Sequence, residues 1–364
     1  IWYAMALQDY PVQPDFQSLI DVLHRRVAPS RVHHAELFMD EIVKDRLRER
    51  FEIEPVAVQN TGRATVRNDT ELYRVLGYDL VRVHAPETEF DMNVRSSADT
   101  STTEFARSGQ GYIVHEYGGP IQNDADIERY PWPDISLIDT APFEWAEENL
   151  PEGMRGYDLT VQVFEAVGWL LGYETLFISI MEAPEFVDRV LERVGTTYID
   201  YTRFLCSYDS IGVIWGTDDM GHKTGTMVAP EWLREKILPW HKKAAEIAHA
   251  SGKEYFLHSC GNIEAITPDL IDYVGVDAKH SFEDGAVPVT DFYNRYSDRV
   301  GVIGGIDLDF LARATVDEVR VKTRSVLERC HPNGGYALGT GNSVTDYVPL
   351  ENYIAMLEEG RRFG

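Results

Sequence analysis

The chain has 364 residues, 44% of them hydrophobic, and its 34 Lys and Arg against 60 Asp and Glu give a formal net charge of -26. That length buries one large α/β barrel or two ordinary domains, and an acidic chain without a basic cluster argues against nucleic acid and anionic membrane surfaces as partners. Three cysteines, Cys206, Cys260 and Cys330, do not make a disulfide framework and point to a reducing cytoplasm, while no apolar run of about eighteen residues and no basic-then-apolar leader supports a membrane span or secretion.

Short apolar runs alternate with helical periods along nearly the whole chain, the pattern of βα units around a parallel sheet. An amphipathic helix over 16–27 opens the chain, and 31–38 and 79–84 read as the first two strands. Between them and the third strand lies an excursion over roughly 88–138, with alternation at 112–116 and the punctuation Tyr130-Pro131-Trp132-Pro133-Asp134, expected to be an inserted hairpin and loop. Strand three is 157–163, a long helix runs over 185–207, and strand four is 211–215. A helix over 230–250, bent at Pro239, leads to strand five at 254–258. Strands six, seven and eight are expected at 274–280, 300–306 and 336–338. Eight strands in sequence order close most simply as a single (β/α)8 barrel, so the expectation is one domain over 1–364.

In such a barrel the chemistry lies at the C-terminal strand ends. The polar residues Glu36, His84, Glu165, Asp218, Asp219, His258, Cys260, His280, Glu283, Asp307 and Asn342 all fall there. His258 and Cys260 end an apolar strand two residues apart, so imidazole and thiol project to one side as a metal-ligand pair. A buried histidine beside an inert thiol is the bland alternative, and the position at a strand end weighs against it. His280 and Glu283 could complete the metal set from the neighbouring strand end.

Asp218 and Asp219 follow a buried strand and suit substrate positioning, proton transfer or helix capping; one of the pair is expected only to cap. Glu165, at a helix start, is a third candidate acid. Gly339, Thr340 and Asn342 belong to a glycine-rich loop after strand eight, where barrels hold phosphate-bearing cofactors on backbone N–H groups. Cys330 and Cys206 end helices, Cys330 at the opposite barrel end, and read as structural.

The segments Tyr130-Pro131-Trp132-Pro133, Asp218-Asp219-Met220-Gly221, Leu257-His258-Ser259-Cys260-Gly261-Asn262, Gly304-Gly305-Ile306-Asp307 and the closing strand with Gly339 resemble the uroporphyrinogen decarboxylase superfamily over most of the chain. That superfamily includes corrinoid-dependent methyltransferases, and the resemblance to their branch implies zinc on His258 and Cys260. It also implies a third cysteine after strand eight, where this chain has Gly339, Thr340 and Gly341, so Glu165, Asp219, His280 or Glu283 must complete the sphere. The basic N-terminal segment that grips substrate carboxylates in true decarboxylases is missing, with Glu36 in its region.

The function expected from the resemblance is zinc-dependent methyl transfer between a small methylated substrate, such as an aryl methyl ether, methylamine, methanol or thiol compound, and a corrinoid protein. With no Asp-x-His-x-x-Gly signature in the chain, the cobalamin is expected on that partner. Two alternatives stand beside it: a metal-independent decarboxylase using Asp218 or Asp219 against a pyrrole-like cation, and a non-catalytic ligand-binding barrel. The sequence leaves room for a homodimer.

Overall fold

A computed structural model describes residues 7, 11–56, 61–91, 95–98, 110–113 and 118–364. Its main sheet has seven parallel strands in sequence order: β1 (Leu80–Arg82), β2 (Arg155–Thr160), β3 (Ile211–Thr217), β4 (Glu254–His258), β5 (Ala278–His280), β6 (Gly301–Ile303) and β7 (Tyr336–Ala337). The sheet curls into a half-barrel around one buried cluster to which every strand contributes: Leu80, Tyr157, Val213 with Trp215, Phe256, Ala278, Ile303 and Ala337. Alternation along each strand decides this, because residues two apart share the inner face. Leu19, Ile20 and Leu23 of the helix Phe16–Leu23 join the cluster.

The expected first strand, 31–38, is not a ladder strand. The backbone of the segment pairs with the neighbourhood of β7 through isolated parallel bridges, His34 with Leu338 and Met39 with Val344. Its Ala35 and Leu37 still belong to the inner cluster, and the Tyr157 hydroxyl donates to the Glu36 and Leu37 carbonyls at 2.9 and 2.7 Å. The opening helix stops at Leu23 rather than 27, because Arg25 turns to φ 57° and sends its guanidinium to the Tyr293 and Ser297 hydroxyls.

Within the excursion, Arg95–Ala98 and Gln110–Ile113 pair antiparallel, and a short helix, Asp124–Arg129, follows. The rest of the expected alternation at 112–116, from 114 on, lies outside the described residues. No single helix among the described residues is long and apolar enough to cross a membrane.

Register positions the candidate ligands. Thr217 on β3, His258 on β4 and His280 on β5 are aligned partners across the sheet. In-register residues of a parallel sheet lie on one face, so the two imidazoles stand side by side in the layer above Trp215, Phe256 and Ala278. The Trp215 ring meets the His280 ring edge to face, centroids 5.7 Å apart.

Candidate metal centre

The loops that leave β3 and β4 cross at two glycines. A Cβ on Gly221 would lie 2.6 Å from the Cys260 carbonyl oxygen, and one on Gly261, which has φ 73°, would lie 2.5 Å from the Gly221 carbonyl carbon. Only glycine permits that approach. It is fastened by a bridge between His222 and Asn262, and it presses Asp219 against Cys260, whose backbone N–H donates to Asp219 Oδ1 at 2.8 Å.

Three atoms able to hold a metal ion come together: the Asp219 carboxylate, His258 Nε2 and Cys260 Sγ all lie within 4.8 Å of one another. His258 Nε2 is 3.2 Å from Cys260 Sγ and 3.5 Å from Asp219 Oδ1. Zinc bonds of the usual lengths give tetrahedral edges of roughly 3.5 Å, so one ion fits between these donors with little movement. Three protein ligands with a free fourth position are the pattern of catalytic zinc sites.

Charge around the sulfur is arranged from several elements. The Ser281 hydroxyl and the Asn342 side-chain amide donate to Cys260 Sγ at 3.4 and 3.2 Å. Burial, then the charge of Asp219, nevertheless pushes the Cys260 thiol well above its ordinary value. A thiol held neutral in this way gives up its proton when a cation takes the site. Burial lowers His258 to about 3, so its imidazole is neutral and ligand-ready. Lys279, buried, donates to the carbonyls of Ser259, His280 and Ser281 at 3.4, 3.1 and 2.6 Å and lies over the Phe282 ring. These bonds hold Ser281 at φ 84°, the turn that brings its hydroxyl to Cys260. Neither Lys279 nor Ser281 was singled out from the sequence; a lysine inside the apolar run before His280 was the available signal.

The paired aspartates separate into two jobs. Asp218 is fully buried, accepts the backbone N–H groups of Phe164 and Glu165 at 3.0 and 2.9 Å, and meets His241 Nε2 at 3.0 Å. It therefore fastens the start of the helix Val163–Leu171 to the end of β3, and both its oxygens are engaged. Asp219 turns its carboxylate to His258 and Cys260. Glu165 lies beside it, and burial, then the negative charges of Asp219 and Asp218, holds its carboxyl well above the ordinary range. Burial raises the Asp219 carboxyl as well.

Other expected site residues are placed differently. His280 is next to the donors but faces them with no free nitrogen: Nδ1 meets His258 Nδ1 at 2.8 Å and Nε2 meets the Thr340 carbonyl at 3.2 Å. Glu283 is exposed, because the turn at Ser281 carries the chain outward, and it lines a surface cleft with Asp307 and Phe310. In the loop of Gly339, Thr340 and Asn342, several backbone N–H groups are already engaged within the protein. The Thr340 N–H donates to the Glu36 carboxyl, the Gly341 N–H to the Ile306 carbonyl, and the Ser343 N–H to the Asn342 side chain. Asp307 caps the helix Leu308–Arg313. Burial raises Cys330 to about 12, consistent with an inert thiol at the end of the helix Val316–Cys330.

No curated protein sequence matches the chain. Among solved structures, a methyltransferase from Methanosarcina mazei superposes with a TM-score of 0.68 at 15% identity, covering 99% of each chain. A protein from Listeria monocytogenes described as a vitamin-B12-independent methionine synthase gives a TM-score of 0.50 at 12% identity over 93% of this chain and 97% of that one. Both are likenesses of fold. The family model for uroporphyrinogen decarboxylase (URO-D) matches residues 164–363, the stretch that carries Glu165, Asp219, His258, Cys260 and the closing strands. With more than half its length matched, the chain belongs to the uroporphyrinogen decarboxylase (URO-D) family.

Proposed function

We propose that the protein is a zinc-dependent methyltransferase that moves a methyl group between a small methylated substrate and a corrinoid carried on a separate protein. The observation that carries this reading is the cluster of Asp219, His258 and Cys260, one carboxylate, one imidazole and one thiol at zinc spacing with a fourth position left for a substrate atom. Zinc bound there would supply Lewis acidity to the heteroatom that holds the methyl group. Asp219 and Cys260 would bring two negative charges, and His258 a neutral nitrogen. Glu165, whose carboxyl is raised beside Asp219, is placed to give a proton to a departing alkoxide or amine. We also propose that the whole chain is a single domain, with residues 33–39 completing the barrel through their bridges toward β7.

Family membership favours one other reading, a metal-independent decarboxylase. There an aspartate must face a cationic intermediate. Asp218 is excluded from that task by its three buried partners, which leaves Asp219 alone and gives the thiol and imidazole no part in the chemistry. Zinc content of protein purified without chelator tests the choice: one equivalent supports the methyltransferase, and none supports the decarboxylase.

A further inference from the structure

His280 is fully buried, next to the proposed ligands, and contributes no atom to them. Its hydrogen bonds determine where the protons lie. The Thr340 carbonyl can only accept, so the nitrogen facing it, His280 Nε2, carries a hydrogen. The ring has no carboxylate among its hydrogen-bond partners and is out of water, so it is neutral, and its Nδ1 is a bare lone pair. That lone pair faces His258 Nδ1 at 2.8 Å, a distance that requires one hydrogen between the two nitrogens. The hydrogen therefore belongs to His258. His258 is held as the Nδ1–H tautomer, with the Nε2 lone pair directed at Cys260 and Asp219.

We propose that His280 is a positioning residue that selects the tautomer and ring orientation of His258, taking its own orientation from the Thr340 carbonyl. The proposal rests on the reading of His258 as a ligand through Nε2. The opposite tautomer would set two lone pairs against each other and place an N–H where a cation must bind.

The reference point is itself fixed. Glu36 accepts from the Thr340 N–H and hydroxyl at 2.9 and 2.6 Å, and the Gly305 N–H donates to the same Thr340 carbonyl at 3.2 Å. Gly304, at φ 85°, closes the pocket: a Cβ there would meet the Thr340 oxygen at 2.2 Å and the His280 ring at 3.0 Å. The relay thus runs from Glu36 through Thr340 and His280 to His258.

The test reads protons directly. Zinc-stripped protein labelled with 15N-histidine is examined by long-range 1H–15N correlation, and His258 is identified by its loss in His258→Gln. The expected result is a protonated Nδ1 and a bare Nε2. In His280→Gln the amide oxygen can accept from His258 while its NH2 donates to Thr340, so the tautomer is kept and zinc Kd changes by less than about threefold. In His280→Leu the acceptor is gone, the tautomers mix, and zinc Kd weakens about 10–100-fold. A wild-type His258 protonated on Nε2, or a His280→Leu protein that binds zinc as tightly as wild type, overturns the proposal. A wild type that has the expected tautomer and takes up no zinc contradicts the metal reading instead, leaving the relay intact.

Discussion

Asp219 accepts the backbone N–H of Cys260 at 2.8 Å, which ties the end of β3 to the loop after β4 before any cation is bound. The carboxylate and the thiol are therefore held together by the chain itself. Preorganisation of this kind fixes the two loop residues, Asp219 and Cys260, relative to His258 at the end of β4.

Metal stoichiometry should follow from that arrangement. Elemental analysis is expected to give one zinc per chain, lost in a His258→Ala, Cys260→Ala double variant and retained in Cys330→Ala. If Asp219 is a ligand rather than a supporting contact, Asp219→Ala should weaken zinc by about 100-fold or more, beyond the range for outer residues. Full zinc content in the double variant would show that other residues bind it.

Asp218→Ala should act on stability. It leaves two helix N–H groups and His241 without their buried acceptor, and each lost partner costs about 1–3 kcal/mol. Urea unfolding is expected to show a loss of roughly 3 kcal/mol or more, and a smaller one in Asp218→Asn, which keeps one oxygen. An unchanged midpoint would rule out the fastening role.

The two aspartates also mark what the sequence could and could not convey. The strand order was legible because β3 and β4 are largely apolar runs buried on both faces. Asp218 and Asp219 are adjacent in an identical sequence context, and only the third dimension assigns one to the helix Val163–Leu171 and the other to Cys260. The bonding of the glycine loop is hidden for a similar reason. The acceptor of its Thr340 N–H is Glu36, 304 positions away, a pairing no local pattern encodes. Glu283 was displaced by a single left-handed residue, Ser281, a conformation uncommon enough outside glycine that spacing alone does not anticipate it.

Glu165→Gln should separate proton donation from metal binding. Glutamine keeps the shape of the neutral acid but cannot release a proton. Turnover of a methyl ether is expected to fall about 10²–10⁴-fold, with zinc content unchanged. Equal rates for the variant and wild type on such a substrate would remove Glu165 from the mechanism.

Stability should fall as pH rises past neutrality through two histidines remote from the site. His24 is raised mainly by its hydrogen bond to Glu254, and His249 mainly by its hydrogen bond to Asp277. A histidine raised in the folded state stabilises it fully below the unfolded value of about 6.5, and that contribution is lost as pH climbs through the folded value. The His24→Gln, His249→Gln double variant should therefore show a flatter melting profile as pH rises from about 6. A wild-type profile as flat as the variant's would contradict the assignment.

Methyl transfer to cobalt is the central claim, and cobalt reports it by colour. The decisive measurement mixes the zinc-loaded protein with cob(I)alamin and a panel of methyl ethers, methylamines, methanol and methyl thiols, and follows the corrinoid spectrum. The account predicts formation of methylcob(III)alamin with at least one donor, abolished by chelation, restored by added zinc and slowed in Cys260→Ser. The contradicting result is no corrinoid methylation from any donor, together with chelator-insensitive release of carbon dioxide from uroporphyrinogen.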